Sequence, residues 1–206
     1  MINKTLKEFS ELAASKDPTP GGGGVSALVG SLAASLGQMV TNLTYGKAKY
    51  IQYTAEIVDI RKELDILRTN LLECINNDAK AFEPLAKAYK MDKSDPNYEA
   101  TMEQCLRNAA DVPFIILKYC ARIIDLNERL AVIGSKISVS DAGTSVMLAH
   151  GAMYGAYINV LVNTRLMKDR TYADDFTKKA ANILDEYSVR ALNCYDDVCK
   201  RLTDNG

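Results

Sequence analysis

The chain has 206 residues, 48% of them hydrophobic and 25% charged, and its net charge is −1. That make-up belongs to one globular domain over residues 1–206, with enough apolar material to bury a core. The near-zero charge excludes attraction to nucleic acid or acidic membranes through the overall field of the molecule.

The N-terminal stretch MINKTLKEFSELAASKD alternates charged and apolar residues. Its spacing predicts a short helix with Leu6, Phe9, Leu12 and Ala13 on one face. It lacks the unbroken apolar core of a signal peptide. Asp17-Pro18-Thr19-Pro20 ends that helix, because proline disfavours helical backbone in the residue before it. Four glycines, Gly21 to Gly24, follow at a high entropic cost.

A second helix is predicted over about residues 25–45. Leu28, Leu32, Leu36, Met39 and Leu43 form a bulky stripe on it, and Gly30, Ala34, Gly37 and Thr41 a small one. Small side chains let another backbone come near, which suits an internal contact and a subunit contact equally. Residues 25–46 carry no charge and are long enough to span a bilayer. Ser26, Ser31, Ser35, Gln38, Thr41, Asn42 and Thr44, and the lack of a second such segment, favour a buried helix and no membrane.

A very long helix is expected over residues 50–89. Ile57, Ile60, Leu64, Leu67, Leu71 and Cys74 step by three and four like a coiled-coil seam. The same stepping continues through Asp78 to Ala81, Leu85 and Ala88, with Pro84 as a candidate kink. Another helical region is expected over residues 98–133, interrupted near Pro113 and stopped by Gly134. Residues 140–167 form a small-residue helix with Ser140 as its expected N-cap. The last helix is expected over residues 173–202. The sum is all-α, an antiparallel bundle of long helices.

Five cysteines with no CxxC pair read as free thiols of a reducing, cytoplasmic compartment. A lone histidine, His150, argues against a histidine-based metal site, and no metal or cofactor is expected. Asp78 is the most informative residue. Its seam position predicts burial, and a buried lone carboxylate is costly. One reading is structural, an ion pair or a cap on neighbouring backbone. The other is a carboxyl with a shifted pKa, fit for acid–base work or for holding a cation. Asp141 is the second candidate. Asp141, Ser145, Ala152, Ala156, Asn159 and Asn163 share one helix face with room for a ligand, while an acid in a first turn also simply complements the helix dipole. The glycine run lacks the Gly-Lys-Ser/Thr ending of a P-loop. It reads as a hinge or as a helix N-terminus that favours an anion, with Lys47, Lys49 and Lys136 adding positive charge.

PTPGGG, a small-residue helix and then NLTYGKAKY resemble the formiminotransferase-cyclodeaminase C-terminal family. The likeness continues through NDAKAFEPLAKAY, DVPFIILKYCA and SVSDAGTSVMLAHGAMYGAYINVLVNT, nearly the whole chain. Two positions depart from the pattern. Gly24 stands where the family has serine, and Gly134-Ser135 where many members have Gly-Asn. The resemblance implies an all-helical homodimer and a tetrahydrofolate-type substrate. With that substrate, Asp78 is expected to stabilise the cation and relay the proton, with Asp141 either sharing that role or binding the pterin amino group. Substrate contacts are expected from Pro20, Gly21, Gly22, Gly23, Asn42, Lys47, Lys49, Tyr50, Ser140 and Asn159, the Gly21–Gly23 amides with Lys47 or Lys49 holding the carboxylates of the glutamate tail. The resemblance also implies one of two activities. A cyclodeaminase closes 5-formiminotetrahydrofolate to the methenyl form and releases ammonia; a cyclohydrolase opens the methenyl bridge to 10-formyltetrahydrofolate. Cyclodeaminase is the narrow expectation, with a separate transferase supplying its substrate. A non-catalytic folate-binding or scaffold dimer is the alternative of another class.

Overall fold

The computed structural model describes residues 1–204. Six α-helices follow in order: α1 (Leu6–Ala13), α2 (Gly22–Thr44), α3 (Thr54–Ala88), α4 (Tyr98–Ile133), α5 (Val139–Thr164) and α6 (Arg170–Thr203). Short 3-10 helices, Ala48–Tyr53 and Lys136–Ser138, lead into α3 and α5. There is no strand among the described residues.

α1 starts in a capping box, with the Thr5 hydroxyl accepting from the Glu8 amide at 3.2 Å and Glu8 accepting back from the Thr5 amide at 2.7 Å. Only Phe9 of its expected face is buried, and Leu6 is exposed. Eight residues offer one anchor, and there is no second layer beneath the others.

The α3 seam is buried as its spacing requires: Ile57, Ile60, Leu64, Leu67, Leu71 and Cys74 all face inward. Opposite lie Ile116, Leu117, Ile123, Ile124 and Leu130 of α4. Contacts from Glu56 to Arg129, Glu63 to Arg122 and Asn70 to Tyr119 fix the two helices as antiparallel. Pro84 and Pro113 both lie inside unbroken helices, so the expected interruption at Pro113 does not occur. A mid-helix proline costs about 3 kcal/mol. Pro113 is buried, and Ala109, Ala110, Ile116 and Leu117 on either side of it are buried too.

α2 packs against α3, α4 and α5. Its small stripe faces inward and its bulky stripe outward, with Leu32 and Met39 almost half exposed. A Cβ at Gly30 would stand 2.8 Å from Cys120 Sγ, and one at Gly37 2.8 Å from Asn127 Oδ1. Both glycines therefore hold α2 at the distance its neighbours need. α5 crosses α2 antiparallel; the Ser145 hydroxyl donates to the Ala33 carbonyl at 2.6 Å, and Gly155 meets Ser26. Gly151, on the outer side of α5, meets nothing. Two helical segments, Gly22–Thr44 and Lys136–Thr164, are long and apolar enough to cross a membrane, so the first is not the lone such segment. All five cysteines are free, four of them buried.

Candidate active site

α2 begins three residues earlier than the spacing predicts, because the glycines themselves form its first turn. Gly21 is the N-cap and offers no side chain to the first-turn amides. Asp78 of α3 supplies the missing acceptor: its Oδ2 accepts from the Gly24 amide at 3.0 Å. The approach is close. A Cβ at Gly23 would stand 2.2 Å from Asp78 Oδ1. Asn159 of α5 lies against Gly22 in the same way, 2.8 Å from an added Cβ to its Nδ2, and itself donates to the Gly155 carbonyl at 2.8 Å. Pro20 is buried beneath Gly24.

Asp78 thus caps a neighbouring backbone, and it has no ion-pair partner among the described residues. Burial pushes its carboxyl above the usual range, and the Gly24 amide opposes that only in part. Such a group can take up and return a proton, or sit beside a cation. One helical turn further along α3, Phe82 joins Pro18 and Thr19 around an open depression of about 280 Å³.

The remaining expected site residues lie elsewhere. α2 spans 23 residues, about 34 Å at the rise of a helix. At its far end the Ser135 amide donates to Thr44 Oγ1 at 2.8 Å, Lys47 Nζ donates to Ser135 Oγ at 3.0 Å, and the Lys136 amide donates to the Tyr50 hydroxyl at 3.1 Å. Lys47, Lys49, Tyr50 and Lys136 therefore cannot reach the glycine turn of their own chain. Asn42, exposed, belongs to that far end as well. So does Asp141, which lies 18 positions before Asn159 on α5, about 27 Å away; it complements the first turn and stands far from Asp78 of its own chain. Ser140 is not the N-cap. Ser138 holds that place, and Ser140 is exposed within the first turn. The middle of the face from Asp141 to Asn163 is packed: Ser145, Ala152 and Ala156 are buried, Ser145 against α2, and Asn163 donates to the Ala109 carbonyl of α4 at 3.1 Å. His150 stands edge-on to Tyr154 with a buried, unbonded Nε2.

Residues 5–182 match the family model described as formiminotransferase-cyclodeaminase. The chain belongs to the formiminotransferase-cyclodeaminase family. A methenyltetrahydrofolate cyclohydrolase of Methylorubrum extorquens is 34% identical, over 95% of this chain and 96% of that one. The formimidoyltransferase-cyclodeaminase of Sus scrofa is 26% identical over 95% of this chain, which spans only 37% of that longer protein. The crystal structure of a formiminotetrahydrofolate cyclodeaminase from Thermotoga maritima superimposes with a TM-score of 0.84 at 31% identity, covering 98% of this chain and 97% of that one. These relatives make it a family of folate one-carbon enzymes.

Both departures from the family pattern now have a setting. Gly24 keeps the amide that bonds Asp78, so the backbone contact needs no serine. Ser135 is buried and its hydroxyl holds Lys47, which gives a polar side chain there a structural task. Among the described residues no cluster of three His, Cys, Asp or Glu could hold a metal ion. Sequence spacing missed Ser26, whose hydroxyl donates to the Gly22 carbonyl at 2.7 Å while touching Gly155. Its small size beside the glycine run was the available signal.

Proposed function

We propose that the protein hydrolyses the methenyl bridge of 5,10-methenyltetrahydrofolate to 10-formyltetrahydrofolate, with Asp78 as the acid–base group. The observation that carries this reading is a half-buried carboxylate with no counter-ion among the described residues, set against the glycine turn that opens α2. The bridge carbon is a cationic amidine-like centre, which a neighbouring carboxylate stabilises. Water adds to that carbon and its proton passes to Asp78. The carbon–N5 bond then breaks as N5 takes a proton, and the remaining hydroxyl proton leaves as the formyl group forms on N10. One water is consumed and one proton released. The scheme uses no metal and no further cofactor.

The Thermotoga relative favours a second reading on the same residues. Nitrogen N10 attacks the formimino carbon, ammonia leaves and the methenyl bridge forms. The somewhat higher identity to the Methylorubrum cyclohydrolase, 34% against 31% for the Thermotoga cyclodeaminase, supports hydrolysis as the first reading. Incubation with each substrate separates them: methenyl absorbance is expected to vanish from the bridged folate. Its appearance from the formimino compound would establish the cyclodeaminase instead, and saturable binding without turnover would establish a folate-binding scaffold.

The protein acts as a cytoplasmic homodimer, without membrane or nucleic acid. Support comes from Val25, Leu32 and Met39, exposed on α2 at seven-residue intervals, which form a ridge suited to a like ridge of a second copy. A Leu32→Glu variant is expected to sediment as a monomer; an unchanged dimer would move the interface to another face.

A further inference from the structure

The glycine turn that opens α2 is built from soft backbone. Its N-cap, Gly21, sends no side chain to the first-turn amides, and glycine has the widest conformational freedom of any residue. Yet the turn must hold still if the Gly24 amide is to stay on Asp78, since that is the one hydrogen bond the carboxylate receives among the described residues. Ser26, buried one turn further on, donates its hydroxyl to the Gly22 carbonyl at 2.7 Å. That carbonyl belongs to the Gly22–Gly23 peptide, directly before the peptide whose N–H meets Asp78.

A serine bonded back to the carbonyl four residues earlier is a common and slightly destabilising feature of helices. Ser35 makes the same bond to the Ser31 carbonyl at 2.9 Å. Ser26 differs in its surroundings. α5 presents Gly155 to it, where a Cβ would stand 2.3 Å from the Ser26 hydroxyl oxygen, 3.5 Å from Ser26 Cβ, and near nothing else within 4 Å. The Gly155 carbonyl is taken by Asn159 Nδ2 at 2.8 Å, and Asn159 packs on Gly22. Gly22, Ser26, Gly155 and Asn159 thus close a ring across α2 and α5.

We propose that Ser26 is a positioning residue for Asp78: its hydroxyl, given room by Gly155, fixes the Gly22–Gly23 peptide and so keeps the Gly24 amide on the carboxylate. The consequence for turnover rests on the acid–base reading of Asp78 given above. The consequence for the Asp78 carboxyl itself does not.

The experiment follows that carboxyl directly, by carbon-13 NMR titration of the full chain labelled in its aspartates, with Asp78→Asn identifying the signal. Beside it, kcat for 5,10-methenyltetrahydrofolate is measured across pH. The Gly24 bond draws the Asp78 pKa down against burial. Ser26→Ala is therefore expected to raise that pKa, to carry the acidic limb of kcat upward with it, and to lower kcat about tenfold, the worth of one hydrogen bond. Gly155→Ala alone should act alike, because its methyl pushes the hydroxyl off Gly22. Added to Ser26→Ala it should cost nothing further, because the oxygen it would strike is gone. Gly37→Ala, which strains α2 against Asn127 far from the turn, is the control. It should lower the melting temperature and leave the Asp78 pKa in place. A raised pKa in Ser26→Ala with unmoved kcat would uphold the positioning while removing Asp78 from the chemistry. An unmoved pKa in Ser26→Ala, or losses that add in the double variant, overturns the proposal.

Discussion

Asp78→Asn is expected to lower turnover by about a hundred- to ten-thousand-fold, the usual worth of a positioned acid–base group, and to raise thermal stability at neutral pH. The asparagine carbonyl can still accept the Gly24 amide, so the cap on α2 survives. What disappears is a charge that burial opposes. Burial raises the folded-state pKa of Asp78. An acid raised in this way adds stability that is full below its unfolded pKa and is lost as pH rises through the folded value. The gain from asparagine should therefore emerge above the ordinary carboxylate range and vanish below it. Melting curves across pH, beside kcat from methenyl absorbance, check both halves. A well-folded variant with normal kcat would remove Asp78 from the chemistry, and a pH-independent melting shift would remove the burial argument.

Gly23→Ala is expected to reduce turnover by on the order of a hundredfold, through Asp78 rather than through the glycine itself. The new methyl would stand 2.2 Å from Asp78 Oδ1 and 2.7 Å from its Cγ. The carboxyl must swing away and surrender the Gly24 amide. Alanine favours helix over glycine by about 1 kcal/mol, which offsets much of the lost contact, so the melting temperature should move little while kcat collapses. Gly24 differs. A Cβ there meets Pro20 at 3.3 Å and Asp78 no nearer than 3.8 Å, in keeping with the serine that the family pattern carries at that position. Full activity in Gly23→Ala would show that the close approach of α2 to α3 has no part in catalysis.

Periodicity made the bundle legible. The three-and-four stepping from Ile57 to Cys74 is a direct record of one buried face, and an acid arriving next on that face, Asp78, could be singled out without coordinates. The ends of helices were not legible in the same way. Spacing assigns residues to faces, not to levels along a bundle, so Lys47, Lys49 and Asp141 were grouped with a glycine turn that lies a helix length away. Nor could spacing choose which stripe of α2 turns inward. The bulky stripe carries more transferable apolar area, yet the small one is buried, because Leu71, Cys120 and Asn127 already fill the space opposite. Pro113 misled for a related reason: a local backbone rule was outweighed by the packing around it. Buried Asn127, donating to the Ile123 carbonyl at 2.9 Å, left no mark in the sequence pattern at all.

The unequal room around the helical glycines sets a rule for anyone seeking a heat-resistant version. Trading glycine for alanine in a helix is ordinarily a safe gain of about 0.5–1 kcal/mol. At Gly30 and Gly37 that route is closed unless a partner across the interface shrinks at the same time, whereas at Gly151 it stands open and should lift the urea midpoint unaided.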